Sequence, residues 1–304
     1  MIDLTMLGTI GSMPMPNRYL SSAILSIEGK KILLDCGEGT QVAMREYHTG
    51  FKNIDVICIT HLHGDHLFGL PGLLSTIGNC ERVQPIVIIG PTGIKQAVLN
   101  LCATILPLPY ELLILENPEE SYVLLDHVKI HTACADHTVD CLSYKVTVDR
   151  LPKFDVDKAT KNNVPKQLWG RLQREREPII FEHIAYDYTQ VLGAPRAGMS
   201  VSFVTDTRPT DALVSFVRGS DLLVCEGTYG DNEDIDKAIK NKHLTFKEAA
   251  NFAKLAHVKQ LVLTHFGSGM SSPQQYLENA TQVFKSTMLA YDGYKRTIKF
   301  EDKN

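Results

Sequence analysis

Apolar residues fall into short runs along most of the chain, and stretches with helical spacing separate these runs. Short apolar runs are typical of buried strands, whereas apolar positions about three or four residues apart predict helices packed on a core. The predicted strands are 2–7, 22–27, 31–35, 55–60, 85–89, 122–125, 128–133, 142–148, 200–205, 221–225 and 259–264. The predicted helices are 39–48, 69–77, 92–104, 209–218, 245–257 and 273–288. This alternation favours an α/β protein in which helices cover the faces of the sheets.

Two of these helices begin with recognisable start signals. Thr245 and Glu248 have the spacing of a capping box, in which each side chain bonds the main chain of the other residue. Ser272 followed by Pro273 is the pattern of an N-cap residue with proline in the first helical position. The sequence therefore predicts helix N-termini at these two places.

Residues 150–197 lose the alternation and are rich in Lys, Arg, Pro and Asn. The segment is too long for an ordinary loop, so we expect one catalytic domain over residues 1–304 with 150–197 inserted into it. Its first part carries eight basic residues against three acidic ones: Arg150, Lys153, Lys158, Lys161, Lys166, Arg171, Arg174 and Arg176 against Asp155, Asp157 and Glu175. Such a local basic cluster is what contact with a phosphate backbone requires; a solvated loop is the alternative interpretation.

The composition narrows the class of protein. The chain has 304 residues, 44% of them hydrophobic and 22% charged, which is ordinary globular usage. No apolar run reaches the length of a membrane span, and the N-terminus has the pattern of a strand, not of a signal peptide. Seven cysteines without a C-x-x-C pair indicate free thiols in a reducing compartment. We therefore expect a cytoplasmic protein; its net charge of −4 argues mildly against RNA, apart from the basic insertion.

A dense group of metal-ligand side chains follows the predicted strand 55–60. His61 and His63 are two residues apart, so an extended backbone turns both to one side. Gly64 allows a bend, after which Asp65 and His66 can approach from another direction. Imidazoles and carboxylates without thiolates suit zinc, with manganese or iron as alternatives. Because one zinc ion needs about three protein ligands, four groups indicate a metal pair if further ligands come from elsewhere.

Candidate further ligands follow other apolar strands. Asp206 and His265 come directly after strands 200–205 and 259–264, and His137 follows strand 128–133. Loops at the carboxyl ends of strands are where α/β folds place their sites. Taken alone, Asp206 could cap the next helix and His265 could merely end a strand. Beside the first group, however, they complete a plausible dinuclear site.

Two more residues are candidates for roles other than metal binding. His243 lies two residues before the Thr245 cap, and a helix N-terminus suits a phosphate. Glu226 follows the strand 221–225 and could orient a histidine. The remaining histidines have no comparable context and are expected to be structural or solvated: His48, His127, His131, His183 and His257.

These motifs resemble a known family. The stretch from His61 to His66 is similar to the H-x-H-x-D-H signature of the metallo-β-lactamase superfamily. Three further stretches resemble the ribonuclease Z family in particular, and the similarity continues to Asp292-Gly293. These stretches are 7–22, 34–41 and 68–74. The resemblance implies an αβ/βα four-layer sandwich with a protruding arm formed by 150–197, and a homodimer.

The resemblance also implies roles for the candidate residues. It implies two Zn²⁺ ions per chain. One ion would be held by His61, His63 and His137, and the other by Asp65, His66 and His265. Asp206 would bridge the two ions. Asp65 would also orient or deprotonate the attacking water. His243 would stabilise the phosphate or protonate the leaving oxygen, and Glu226 would hold His243.

The implied activity is removal of the 3′ trailer from precursor tRNA by a zinc-dependent endoribonuclease that leaves a 3′-hydroxyl. Where the family often has H-F-S-x-R-Y, this chain reads H-F-G-S-G-M from His265, without the Arg and Tyr. The arm reads Val-Pro-Lys-Gln-Leu-Trp from Val164 where the family often has a Gly-Pro-rich element. Two alternatives therefore stay open: a hydrolase of small phosphodiesters or esters, and a non-catalytic RNA-binding relative.

Overall fold

The structure of the protein is a computed structural model that describes residues 1–118, 121–175 and 177–301. Arg176, one of the eight basic residues counted above, lies outside the described residues. The strands are β1 Ile2–Gly8, β2 Ser22–Ile27, β3 Lys30–Leu34, β4 Ile54–Cys58, β5 Ile86–Gly90, β6 Leu112–Glu116, β7 Tyr122–Leu125, β8 Val128–Ala135, β9 Cys141–Arg150, β10 Ile179–Phe181, β11 Ile184–Tyr186, β12 Arg196–Val204, β13 Leu222–Glu226, β14 Leu261–Thr264, β15 Thr287–Leu289 and β16 Lys295–Ile298. The helices are α1 Thr40–Glu46, α2 Gly64–Leu67, α3 Leu70–Asn79, α4 Ile94–Leu101, α5 Val156–Lys161, α6 Lys166–Glu175, α7 Asp211–Val217, α8 Ile235–Asn241, α9 Phe246–Leu255 and α10 Leu277–Thr281.

Two large sheets form the centre of the fold. The first has the strand order β16-β1-β2-β3-β4-β5-β6, and the second has the order β15-β14-β13-β12-β9-β8-β7. Strands β3 to β6 run parallel, as do β12 to β15. The inner strands of these sets, β4, β5, β13 and β14, are almost fully buried and therefore read as continuous apolar runs, which made them predictable from the sequence.

Helices cover the outer face of each sheet. Apolar residues of α1, α3 and α4 pack with the first sheet, as Met44, Leu73 and Val98 illustrate. Residues of α7, α9 and α10 pack with the second sheet in the same way, as Leu213 and Phe252 illustrate. The capping box predicted at the start of α9 is confirmed, since both of its reciprocal hydrogen bonds are present.

The inner faces of the two sheets are joined by buried hydrogen bonds. The hydroxyl of Tyr144 on β9 donates to the carbonyls of Ile59 and Ile89, at 2.6 and 3.1 Å. The main-chain N–H of Leu142 donates to the carbonyl of Thr60, at 2.8 Å. The order of layers is thus helix, sheet, sheet, helix, as the predicted four-layer sandwich requires.

The described chain divides into two compact units. We call Met1–Thr147 with Met199–Lys299 the sheet unit, and Val148–Gly198 with the residues from Phe300 the insertion unit. The insertion unit contains α5, α6 and the antiparallel hairpin of β10 and β11. It has its own core, formed by Ala159, Val164, Leu168, Leu172, Ile179, Tyr186, Val191 and Leu192. It nearly coincides with the predicted insertion 150–197, whose role as an arm stays a prediction.

One predicted element is wrong. The segment 273–288 is not a single helix but a 3₁₀ turn over Pro273–Tyr276, then α10, then β15. Strand β15 pairs in parallel with β14, so completion of the sheet edge overrides the helical pattern. Ser272 makes no side-chain cap bond.

Strands β6 and β16 were not predicted, although both complete the first sheet. Within the described ranges, no helix has the length and apolar character needed to span a bilayer.

Candidate metal centre

The carboxyl ends of the parallel strands bring the predicted ligands together. The H-x-H-x-D-H stretch follows β4, while Asp206 and His265 follow β12 and β14. Asp206 and His265 have φ angles of 47° and 53°, and Asp35 after β3 has 57°. A left-handed conformation costs about 1–2 kcal/mol per residue outside glycine. These turns at strand ends are typical of backbone strain at functional sites.

One group of ligand atoms consists of three histidines. Nε2 of His61 lies 2.9 Å from Nδ1 of His63, and Nε2 of His137 lies 3.4 Å from the same Nδ1. His137 comes from the turn between β8 and β9, where the carbonyl of Lys242 lies 3.2 Å from its Nδ1. The burial of His61 lowers the pKa of its imidazole, which therefore presents a neutral ring with a free lone pair. The three ligand atoms can hold a metal ion.

A second group combines one carboxylate with two histidines. Nε2 atoms of His66 and His265 lie 3.1 Å apart, and each lies 3.5 Å from Oδ2 of Asp65. The main-chain N–H of Ser12 donates to the same carboxylate, at 2.6 Å. Gly11 passes close to the ring of His265, where an added Cβ would lie 2.4 Å from a ring atom. This group also has the spacing of a metal site.

Asp206 lies between the two groups. Its Oδ2 is 3.3 Å from Nε2 of His66 and 3.4 Å from Nε2 of His265, while Oδ1 is 4.0 Å from Nε2 of His137. Oδ2 is buried and has no hydrogen-bond partner among the described residues. A buried, unsatisfied carboxylate oxygen is costly. Burial acts to raise the pKa of Asp206, but the surrounding histidines outweigh it and hold this pKa well below its usual range. The donor set therefore fits a cation at this position.

Asp35 is a site residue for which the sequence analysis gave no role. Its carboxylate accepts from the N–H of Thr60 at 2.8 Å and from the Thr60 hydroxyl at 2.9 Å. Nδ1 of His66 lies 2.7 Å from the other carboxylate oxygen. A carboxylate bonded to the far nitrogen of a ligand histidine fixes the ring and its tautomer. The available signal was its position directly after an apolar strand, which Asp206 shares.

His243 lies beside this centre and is held by Glu226. Nδ1 of His243 is 3.2 Å from Oε2 of Glu226 and 3.6 Å from Oδ1 of Asp206. Burial lowers the pKa of His243, but the Glu226 carboxylate outweighs it and raises this pKa to about 9. Glu226 also accepts from the main-chain N–H groups of Thr207 and Leu244. The imidazole of His243 therefore carries a proton at neutral pH.

Thr228 connects these residues and was not predicted. Its hydroxyl donates to Oε2 of Glu226 at 2.6 Å, and it lies 3.3 Å from Nδ1 of His243 and 3.1 Å from Nδ1 of His265. One hydroxyl thus contacts both His265, which is predicted to bind metal, and the neighbouring His243. A threonine two residues past a strand is a weak sequence signal, because this spacing is common in α/β proteins.

Arg208 ties three loops of the site to one another. Its guanidinium donates to the carbonyl of His243 and forms an ion pair with Glu248, the capping residue of α9. Its main-chain N–H donates to the carbonyl of Asp136 at 2.9 Å, next to His137. Arg208 therefore links the loop that carries Asp206 to the loops that carry His137 and His243.

The five histidines expected to be structural or solvated lie outside all of the metal-compatible groups of the described residues.

The chain is similar to proteins that are already known. The family model of the anti-Pycsar protein Apyc1 matches residues 2–101, which is less than half of the chain. A solved structure of the metallo-β-lactamase fold protein YhfI from Bacillus subtilis covers 98% of this chain and 100% of its own, with a TM-score of 0.70 at 16% identity. This likeness concerns the fold alone, and it confirms the predicted metallo-β-lactamase fold.

Two proteins with higher sequence identity to this chain identify its family. The solved short form of human tRNase Z covers 98% of this chain and 100% of its own, with a TM-score of 0.67 at 28% identity. Ribonuclease Z from Clostridium beijerinckii is 52% identical over 99% of this chain and 100% of its own length. With this identity over the full length, the chain belongs to the ribonuclease Z family.

Proposed function

We propose that this protein is a zinc-dependent endoribonuclease that removes the 3′ trailer from precursor tRNA. The full-length relative at 52% identity is a ribonuclease Z, and the human structure is a tRNase Z. The observation that carries the chemistry is the unsatisfied Oδ2 of Asp206 between two groups of neutral and anionic donors. The products are a 3′-hydroxyl on the tRNA and a 5′-phosphate on the trailer.

We assign the metal ligands as the resemblance implies. The proposed ligands are His61, His63 and His137 for one zinc ion, Asp65, His66 and His265 for the other, and Asp206 for both. When bound, the two ions supply positive charge to the phosphate and lower the pKa of water. Asp35 holds His66 in the orientation that a ligand needs.

The chain's own acids and bases then move the protons. Asp65 orients the attacking water and accepts its proton, and the N–H of Ser12 keeps this carboxylate in place. Protonated His243 donates to the 3′ oxygen as the bond to phosphorus breaks, so the tRNA leaves with a hydroxyl. Glu226 keeps His243 charged and oriented. No serine or cysteine is needed as a nucleophile.

We assign binding of the tRNA body to the insertion unit. Six of its basic side chains are exposed: Lys153, Lys158, Lys161, Lys166, Arg171 and Arg174. Its own small core keeps α5 and α6 folded, and the N–H of the Trp169 indole donates to the carbonyl of Val164 at 2.9 Å. Exposed basic side chains on a folded unit suit contact with a phosphate backbone.

We also propose a cytoplasmic homodimer. All seven cysteines are free, and five of them are buried. Free buried thiols suit a reducing compartment, and their burial raises the pKa of thiols such as Cys58 and Cys225. Light scattering on the purified protein tests the dimer: a mass of one chain across a wide concentration range would contradict it.

Cleavage of a precursor tRNA, compared with hydrolysis of bis(p-nitrophenyl) phosphate, tests the function. We expect a single cut at the 3′ side of the acceptor stem, a 3′-hydroxyl on the tRNA, and loss of cutting with chelator. Hydrolysis of the small phosphodiester without any cutting of tRNA would favour the small-substrate hydrolase. Binding of tRNA with neither activity, in protein loaded with zinc, would favour the non-catalytic relative.

A further inference from the structure

A cavity in the sheet unit opens beside the proposed acid His243. It has a volume of about 300 Å³. Thr228 forms part of its wall, and the hydroxyl of Thr228 lies 3.3 Å from Nδ1 of His243 and 3.1 Å from Nδ1 of His265. Thr228 therefore connects the cavity wall to the Nδ1 atoms of two histidines of the proposed active site. The volume lies at the small end of the range for ligand pockets, which suits one nucleoside and excludes a folded partner.

The lining combines aromatic rings with acidic groups. Tyr229 and Tyr276 are half-buried and contribute their rings, and Tyr229 lies 6.4 Å from the His243 ring between centroids. Asp231 and Asp234 also line it, and the cation at its edge, Lys237, forms an ion pair with Asp234 at 2.6 Å. The lining thus has more negative than positive charge.

This charge disfavours a phosphate as the occupant. A phosphate would lie near two carboxylates, and the ammonium that could attract it is already paired. A nucleobase has no charge, has N–H groups that a carboxylate can accept, and has a face that stacks on tyrosine. Because a base adjoins each phosphate along an RNA chain, a base and the reacting phosphate can occupy neighbouring positions.

We propose that this cavity binds the base of a nucleotide next to the scissile phosphate, with Tyr276 as its stacking platform. The inference rests on the proposed function, because it needs single-stranded RNA as the substrate. It adds a base-binding subsite to the metal centre. Gly230 permits the close approach of the Tyr276 ring to the main chain, since an added Cβ there would lie 2.4 Å from a ring atom.

Two variants remove the subsite in independent ways. Tyr276→Leu removes the aromatic face but keeps an apolar side chain, and Tyr276→Phe restores the face without the hydroxyl. Gly269→Leu fills the cavity mouth: Gly269 lines it, an added Cβ meets no atom within 4 Å, and its backbone is outside the left-handed region. Gly269→Ala is its matched control, because a methyl group is too small to block the opening.

The decisive measurement combines these variants with abasic RNA. Precursor tRNAs lacking the base on the 5′ or the 3′ side of the cut are compared with the intact substrate, and each rate is divided by that on bis(p-nitrophenyl) phosphate. For intact RNA we expect Tyr276→Leu and Gly269→Leu to lower kcat/KM about tenfold, with Tyr276→Phe and Gly269→Ala close to the unsubstituted enzyme. Removal of the base on one of the two sides of the cut should lower kcat/KM of the unsubstituted enzyme by a similar factor. On that abasic substrate, Tyr276→Leu should cause little further loss of kcat/KM.

The outcomes separate the two proposals. Lack of a further loss on one abasic substrate supports the subsite, because two changes that remove the same interaction are not additive. If losses from Tyr276→Leu and from base removal multiply at both positions, the base does not bind in this cavity and the inference is wrong. If Tyr276→Leu does not fold, equal cutting by Gly269→Leu and Gly269→Ala would overturn it. No cutting of precursor tRNA by the unsubstituted enzyme would contradict the proposed function itself.

Discussion

The metal centre and the insertion unit place their polar groups in opposite ways. In the candidate metal centre, proposed ligand side chains such as His61, His66 and Asp206 are almost fully buried, and Nε2 of His66 lies 3.3 Å from Oδ2 of Asp206. In the insertion unit, by contrast, six basic side chains are exposed, and a small apolar core keeps the unit folded. Buried polar groups depend on every partner, whereas exposed charges act nearly independently and are screened by salt.

This difference predicts two kinds of response to mutation. Changes in the metal centre should lower activity on every phosphodiester, because the donors act as one set. Changes in the insertion unit should lower activity on tRNA alone, in a graded and salt-dependent manner. The following substitutions test this contrast, from the largest expected effect to the smallest.

The largest effect is expected for Asp206→Ala. It removes the carboxylate shared by both ligand groups and leaves buried histidine nitrogens facing a gap. Metal content and hydrolysis of every substrate should fall together, by more than the roughly 10–100-fold typical of substitutions behind the ligands. Elemental analysis and turnover on the small phosphodiester provide the measurement. Full activity with an unchanged metal content would exclude Asp206 as a ligand.

Replacement of residues 151–195 by a short Gly-Ser bridge should separate chemistry from recognition. Strands β9 and β12 are neighbours in the second sheet, so a short bridge can join them. Small-substrate turnover should persist, while tRNA affinity falls and its dependence on salt becomes shallower. The log–log slope should decrease by up to about 0.9 for each phosphate that the shortened protein no longer neutralises.

A milder pair of variants controls for the removal of folded chain. In the first triple variant, alanine replaces Lys161, Lys166 and Arg174, and the salt dependence of tRNA affinity should become shallower. In the control variant, alanine replaces Lys254, Lys285 and Lys299 of the sheet unit, which removes the same charge elsewhere. Equal slopes for the two triple variants, measured by tRNA binding at several salt concentrations, would contradict the recognition role of the insertion unit.

Asp35→Asn tests whether the buried bonds behind the ligands matter. Asparagine has nearly the same size but cannot offer two anionic oxygens to Thr60 and His66. Metal affinity should fall roughly 10–100-fold, which competition with a chelator measures. Asp126→Asn, in the exposed turn between β7 and β8, is the matched control. Equal metal affinity in the two variants would show that the Asp35 carboxylate has no role in metal binding.

Arg208→Ala should have the smallest effect. The guanidinium contacts the carbonyl of His243 and Glu248, not a proposed metal ligand. We expect metal content to stay constant while kcat falls about tenfold, which is less than the roughly 10²–10⁴-fold that a positioned proton donor contributes, because His243 itself is retained. Arg208→Lys should recover only part of the activity, because lysine lacks the planar fork of donors. A proportional loss of metal in Arg208→Ala would show that it stabilises the whole centre instead.

Much of the fold was readable from local pattern. Strands such as β4 and β5 are buried on both faces, so their apolar runs are unambiguous. The error at 273–288 arose because helical spacing continues past α10, although pairing with β14 requires a strand there. Short edge strands such as β6 and β16 carry mixed burial and give little signal.

The sequence by itself determined which chemistry is available. Its H-x-H-x-D-H stretch and the polar residues that follow apolar strands indicated a metal site, since few other arrangements place so many donors at strand ends. Only the tertiary structure decided which of these residues meet. Asp35 and His66 are 31 positions apart, and His66 and His265 are 199 apart. The first contact depends on the parallel pairing of β3 with β4, and the second depends on how the two sheets pack. Spacing along the chain carries no information about either arrangement.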